Sequence, residues 1–169
     1  RRQRQMCIRD RWEIQDEPWV DTVLVFLYTG FRLMELLNMQ TEQVDLQQKT
    51  FQGGIKTAAG KGRIVPIHPK ILPFVQAWAQ HGHKYLLTAD GKKLSKQKYY
   101  ECWAEVMDRI GADKTPHEAR HTFETSLDNA KANRKCIDLL MGHKSKDVGN
   151  RVYNHKTLEQ LRETILLLE

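Results

Sequence analysis

The chain has 169 residues, 40% of them hydrophobic and 28% charged, with a formal net charge of +6 and a pI of about 9.3. That is the balance of one globular domain large enough to bury a core. It excludes a bilayer-spanning segment, which takes ~20 apolar residues in a row, and its positive excess favours a polyanionic partner. Cys7, Cys102 and Cys136 are odd in number and widely spaced, so they predict no disulfide framework and a reducing, cytoplasmic setting. Cys102 and Cys136, among apolar neighbours, are expected in the core.

Residues 1 to 18 open on Arg1, Arg2 and Arg4 with no initiating Met and no apolar leader. They read as a linker or docking segment arriving from a missing N-terminal part. Residues 19 to 29 are apolar nearly all round and predict a buried helix ending at Gly30. Phe31 to Met39 is a second, short helix carrying Arg32 at its start and Glu35 three residues later. Thr41 to Asp45 reads as a turn of helix. Residues 49–56 and 63–67 read as two strands joined by a glycine-containing turn. Lys56, Lys61 and Arg63 would make that hairpin tip basic.

A helix follows from Pro69 through Trp78, and then His81 and His83 in a solvated turn. Lys92, Lys93, Lys96 and Lys98 crowd the start of a helix that Ser95 can cap and that runs on to Ile110. Lysines oppose the dipole at a helix N-terminus, and a nucleic-acid backbone there would remove that penalty. Asn133 caps a helix from Arg134 to Met141, closed by Gly142 with His143 immediately after. Val148 to His155 holds Tyr153 in a short helix or extended turn. Residues 157 to 169 form an amphipathic helix, through Leu158, Leu161, Ile165 and Leu168, that can pack on its own domain or on a neighbouring protomer.

The most informative stretch is Thr115-Pro116-His117-Glu118-Ala119-Arg120-His121. Pro116 suits the first position of a helix. His117 and Arg120 then share a face of its first turn, where the dipole favours phosphate. The same letters spell His-Glu-x-x-His, the zinc-protease signature, with Glu118 as base and His143 as a conceivable third ligand. Pro116 puts His117 at the very start of the helix, and the lead-in from Gly111 is a polar turn, so the metal reading is the weaker.

Taken together, the residues resemble the catalytic domain of the tyrosine recombinases, the phage-integrase family. The resemblance rests on five boxes in order: Thr29 to Leu36 with its arginine, the hairpin from Lys56 to Ile67, His117-Glu118-Ala119-Arg120-His121, Leu140 to Ser145 with its histidine, and Arg151 to His155 with its tyrosine. It covers residues 19 to 169 and implies a mainly α fold with a small antiparallel sheet or hairpin (α+β). It implies further that Arg32 and Arg120 clamp the scissile phosphate, that His117 and His143 bond its oxygens, that Tyr153 attacks phosphorus and that Lys56 protonates the leaving oxygen. Lys61 is a rival for the lysine, and Glu35 and His121 are supporting residues. Lys92, Lys93, Lys96, Lys98 and Arg63 are candidate DNA contacts.

The implied partners are double-stranded DNA and further copies of the chain, a tetramer on DNA with exchange of the C-terminal helix, and no metal, cofactor or membrane is implied. The competing readings are a DNA-binding protein of the same fold that does not cut, a DNA-relaxing enzyme using the same chemistry, and the zinc metalloprotease.

Overall fold

The computed structural model describes residues 14–53, 62–143 and 155–169. Lys56, Lys61, Tyr153, most of the hairpin turn and most of the N-terminal docking segment lie outside the described residues. Among those described, the chain is mainly helical with two small antiparallel sheets. None of their helices is long and apolar enough to cross a membrane.

Helix α1 (Val20–Thr29) is buried at every residue except Asp21, which explains a sequence apolar on all faces. It lies against α4 (Lys96–Arg109) and α5 (Pro116–Asn129). Phe26 packs between Tyr99 and Trp103, with ring centroids 5.8 and 6.0 Å away. The hydroxyls of Thr22 and Tyr99 meet at 2.8 Å, so the buried phenol keeps a polar partner. Asp21 accepts from the Trp78 indole N–H at 2.9 Å, and burial raises its pKa above the ordinary carboxylate value.

Gly30 ends α1 with φ +62 and its N–H bonded to Phe26 O at 3.0 Å. A Cβ there would meet Phe123 Cδ1 at 2.5 Å and Met141 Sδ at 3.1 Å. The residue is therefore fixed twice, by its left-handed backbone and by the closeness of α5 and α6 (Arg134–Met141).

Helix α2 (Leu33–Asn38) follows at once, and a 3-10 turn over Thr41–Gln43 leads into strand β1 (Val44–Asp45). The turn of helix expected over 41–45 thus extends only to Gln43. Strands β2 (Thr50–Gly53) and β3 (Arg63–Pro66) pair antiparallel, as expected, with Phe51 opposite Val65 and Gly53 opposite Arg63, and β1 adds a third strand. Helix α3 (Leu72–Gln80) packs through Val75 and Trp78. A two-stranded ribbon, β4 (Thr88–Ala89) with β5 (Lys92–Lys93), precedes α4, whose cap is Ser95.

The terminal helix α7 (His155–Ile165) lies on β3 and α6 of its own chain, burying Leu161, Ile165 and the following Leu168. The tail is pinned where Tyr28 Oη donates to Glu169 O at 2.7 Å. Beside it His68 is 5% exposed, stacks on Tyr28 at 4.7 Å and accepts from Lys70 N at 3.1 Å through Nδ1. Burial, then Lys70, push the His68 pKa down to about 4, against a smaller opposing pull from the Leu168 backbone.

Two measurements follow from this packing. Gly30→Ala should lower unfolding free energy by about 2–4 kcal/mol in urea titration, from the left-handed backbone and the overpacking together. Because His68 titrates lower folded than unfolded, stability should be full above pH 6.5 and fall as pH drops towards 4, with about 2 kcal/mol lost by pH 5. His68→Asn should flatten that limb of the stability–pH curve.

Candidate active site

The site forms where two helices end. The last carbonyls of a helix carry partial negative charge and lack intrahelical partners. Those of Gly30, at the end of α1, and Met141, at the end of α6, point to one guanidinium. Arg120, in the second turn of α5 and only 4% exposed, donates Nη1–H to Gly30 O at 2.5 Å and Nη2–H to Met141 O at 2.6 Å. His143, two residues past Met141 and beyond the left-handed cap Gly142, brings Nε2 to 3.4 Å from Arg120 Nη2. Its Nδ1 lies 3.5 Å from Asp138 Oδ1, which orients the ring.

Arg32 is the N-cap residue of α2, where the backbone is extended. Glu35 reaches back so that its Oε2 accepts from Arg32 N at 2.7 Å, and its Oε1 lies 3.6 Å from Arg32 Nη1. The Arg32 side chain is 44% exposed while Glu35 keeps only 8%. The carboxylate is thus a buried counter-ion beneath an accessible guanidinium.

Arg63 requires a correction. Read as part of a basic hairpin tip facing DNA, it is instead 0% exposed, with Nη2 donating to Glu35 Oε2 at 2.9 Å and Nη1 to Met141 O at 2.8 Å. In the register it lies opposite Gly53, where a Cβ would crowd Phe31 Cε1 at 3.0 Å and come to 3.4 Å from Arg63 Nε. The three guanidiniums repel one another. Burial first, then Arg32 and Arg63, lower the Arg120 pKa to about 10, with Glu35 and Glu124 opposing. At neutral pH Arg120 still carries its charge.

Of the predicted groups described, Arg32, Glu35, Arg120 and His143 come together. His117 stands at the exposed edge, its Nε2 3.0 Å from His121 Nε2 with the rings edge to face. Glu118 is engaged elsewhere. It forms a capping box with Thr115, accepting Thr115 N–H at 2.8 Å and returning its own N–H to Thr115 Oγ1 at 3.3 Å, and pairs with Lys114 at 3.1 Å. The Thr115 N–H above all holds its carboxyl below the usual carboxylate range. A carboxylate committed to a helix cap is poorly placed as base for water between two histidines, so His-Glu-x-x-His here spells a helix start.

Lys92, Lys93, Lys96 and Lys98 are all exposed. Lys93 reaches Asn38 Oδ1, at the end of α2, at 2.5 Å, and lies 4.9 Å from the Tyr85 ring centroid, while Lys98 pairs with Glu101 at 3.1 Å. Lys84, which sequence reasoning passed over, stands 5.8 Å from the same Tyr85 ring. It belongs to the patch because residues 84–86 pair with 39–41 through Thr41 N to Lys84 O and Leu86 N to Met39 O, both at 2.9 Å. No sequence signal announced that pairing.

Comparison with known proteins shows the family and the fold. The family described as Phage integrase family matches residues 11–160. The chain is 29% identical to tyrosine recombinase XerC of Proteus mirabilis over 91% of this chain and 52% of that protein. It is 30% identical to tyrosine recombinase XerA of Thermococcus kodakarensis over 83% of this chain and 52% of that protein. It therefore spans about half the length of the curated relatives it matches. Among solved structures, the integrase from mycobacterium phage Brujita superposes with a TM-score of 0.69 at 21% identity, covering 88% of this chain and 50% of that one. The Tn1549 transposon integrase in complex with circular intermediate DNA gives 0.67 at 22% identity, covering 90% and 60%.

The buried and exposed layers of the site should respond differently to truncation. Glu35→Ala leaves buried Arg63 without its carboxylate and should lower stability by about 3–5 kcal/mol. Arg32→Ala removes an exposed partner of the same carboxylate and should lower it by less than about 1 kcal/mol. Chemical denaturation of the two variants side by side measures both.

Proposed function

Because the chain belongs to the phage integrase family, we propose that it is the catalytic domain of a site-specific DNA recombinase that breaks and rejoins strands through a covalent 3′-phosphotyrosine. The observation that carries this reading is Arg120 beside His143, held by two helix ends, with Arg32 on Glu35 near enough to act on its charge. A phosphodiester is a monoanion, and its transition state gathers further charge on the nonbridging oxygens. Two permanent, forked cations suit that charge. Arg120 commits two N–H groups to carbonyls and keeps others for phosphate. The ring of His143 beside it, and that of His117 once it leaves His121, would bond the same oxygens.

Tyr153 is assigned as nucleophile by the family pattern. A phenol must lose its proton as it attacks phosphorus, and an adjacent cationic centre lowers that barrier. The bond between phosphorus and the 5′-oxygen breaks. Lys56, or Lys61 in its place, protonates that oxygen. The phosphotyrosine retains the energy of the broken bond, so a 5′-hydroxyl from another strand can displace the tyrosine. Excluding water from that intermediate protects it from hydrolysis.

Duplex DNA is the partner this charge distribution suits, with Lys84, Lys92, Lys93, Lys96 and Lys98 along the backbone in a nucleoid-associated, cytoplasmic setting. The working form is a homo-tetramer on DNA. Exchange of α7 would carry Leu161, Ile165 and Leu168 from one protomer's seat to the identical seat on the next. Integration or excision of a mobile element is the biological act.

Covalent capture tests the reading. The purified chain is mixed with nicked duplexes of randomised sequence, and SDS-resistant adduct is quantified and its DNA sequenced. Wild type should accumulate adduct, Tyr153→Phe none, and Arg32→Ala and Arg120→Ala should each slow it by roughly 100-fold or more. Adduct formed undiminished by Tyr153→Phe would overturn the assignment.

A further inference from the structure

Among the described residues, the most buried cation is one that the reaction scheme leaves unused. Arg63 is 0% exposed, so it touches no DNA, yet its side chain is tied to both halves of the site. Nη2 bonds Glu35 Oε2, the atom that also accepts from Arg32 N. Nη1 bonds Met141 O, the atom that also accepts from Arg120 Nη2 and lies two residues before His143. Its guanidinium carbon lies over the Phe31 ring, 5.2 Å from the centroid.

Resting on the recombinase reading, we propose that Arg63 is a positioning residue for DNA cleavage, a buried fork that sets Arg32 and the Arg120–His143 pair at one spacing. Stability alone gives weak reason to bury a guanidinium, because apolar replacements of buried ion pairs are often neutral or stabilising. Geometry gives a stronger one. Of the side chains that carry positive charge, only a planar guanidinium can hold a carboxylate and a carbonyl on separate nitrogens of one rigid fork. Lysine, a point donor on a flexible stem, cannot fix both at once. A misplacement of an ångström between groups that grip one phosphate is enough to slow chemistry by roughly 100-fold.

Arg63→Met and Arg63→Lys in the 169-residue chain test this. Each is assayed well below its own melting temperature, with Arg120→Ala and Tyr153→Phe as controls. The expected result is an adduct rate at saturating DNA at least tenfold below wild type in both variants, with DNA affinity changed by less than about threefold. Lysine should recover melting temperature without recovering the rate, an outcome a purely structural role does not give. As a readout independent of DNA chemistry, the ring resonances of His143 in nitrogen-15 NMR should move in both variants.

A folded Arg63→Met or Arg63→Lys protein with near-wild-type adduct rate, or with unmoved His143 resonances, would overturn the proposal while leaving the recombinase reading intact. Adduct that survives Tyr153→Phe would sink the recombinase reading instead, and the His143 resonances would still decide what Arg63 does. Should the Met variant not fold, the Lys variant alone decides.

Discussion

Positive charges gathered in a largely apolar interior must be held there against their own repulsion, and this constraint shapes the centre of the molecule. Arg32 and Arg63 are close enough to Arg120 to raise the cost of charging it. The chain answers with the carboxylate of Glu35, a smaller pull from Glu124, and the carbonyl ends of two helices. Gly30 and Met141 offer oxygens that no helical N–H can reach, and guanidinium groups occupy them. The arrangement depends on α1 stopping at Gly30 in a left-handed turn and on α6 stopping at Met141 before Gly142. Termination signals and functional geometry are here the same residues. That is also why α1 is buried on every side, since it must deliver its end to the middle of the protein.

Much of this was legible in the letters because helix ends are written in local chemistry. Gly30, Ser95, Pro116, Asn133 and Gly142 mark boundaries through their own backbone or side-chain preferences, and the structure keeps all of them. Arg32, Arg120 and His143 could be placed near such boundaries without knowing the tertiary fold. The two-residue strands β1, β4 and β5 were not legible, because two residues carry no period and pair only through distant partners. The pairing of 84–86 with 39–41, which joins Lys84 to the lysine patch, is of that long-range kind.

Arg63 shows a different failure. An arginine beside lysines and glycines has the pattern of a solvated hairpin edge, and nothing local says which face of a strand is inward. The answer lay in distant partners, Glu35 and the Met141 carbonyl, which take its two terminal nitrogens. His-Glu-x-x-His shows the converse. A short motif can be complete in letters yet void in geometry when its central residue is needed for something nearer. Thr115 and Lys114 claim Glu118 before any water could.

The two arginines proposed to grip phosphate differ in how much freedom they have left to lose. Arg120 is fastened to two carbonyls and nearly sealed from solvent, so its rotamer entropy is already spent in the folded protein. Arg32 is 44% exposed and tethered mainly by a 3.6 Å contact to Glu35, and immobilising it on a ligand would surrender up to about 2 kcal/mol of side-chain freedom. One jaw of the clamp is a fixed wall and the other a hinged finger. An anion arriving at the site would meet Arg120 as a preformed template and would have to recruit Arg32, so the two sides of the site carry unequal entropic costs.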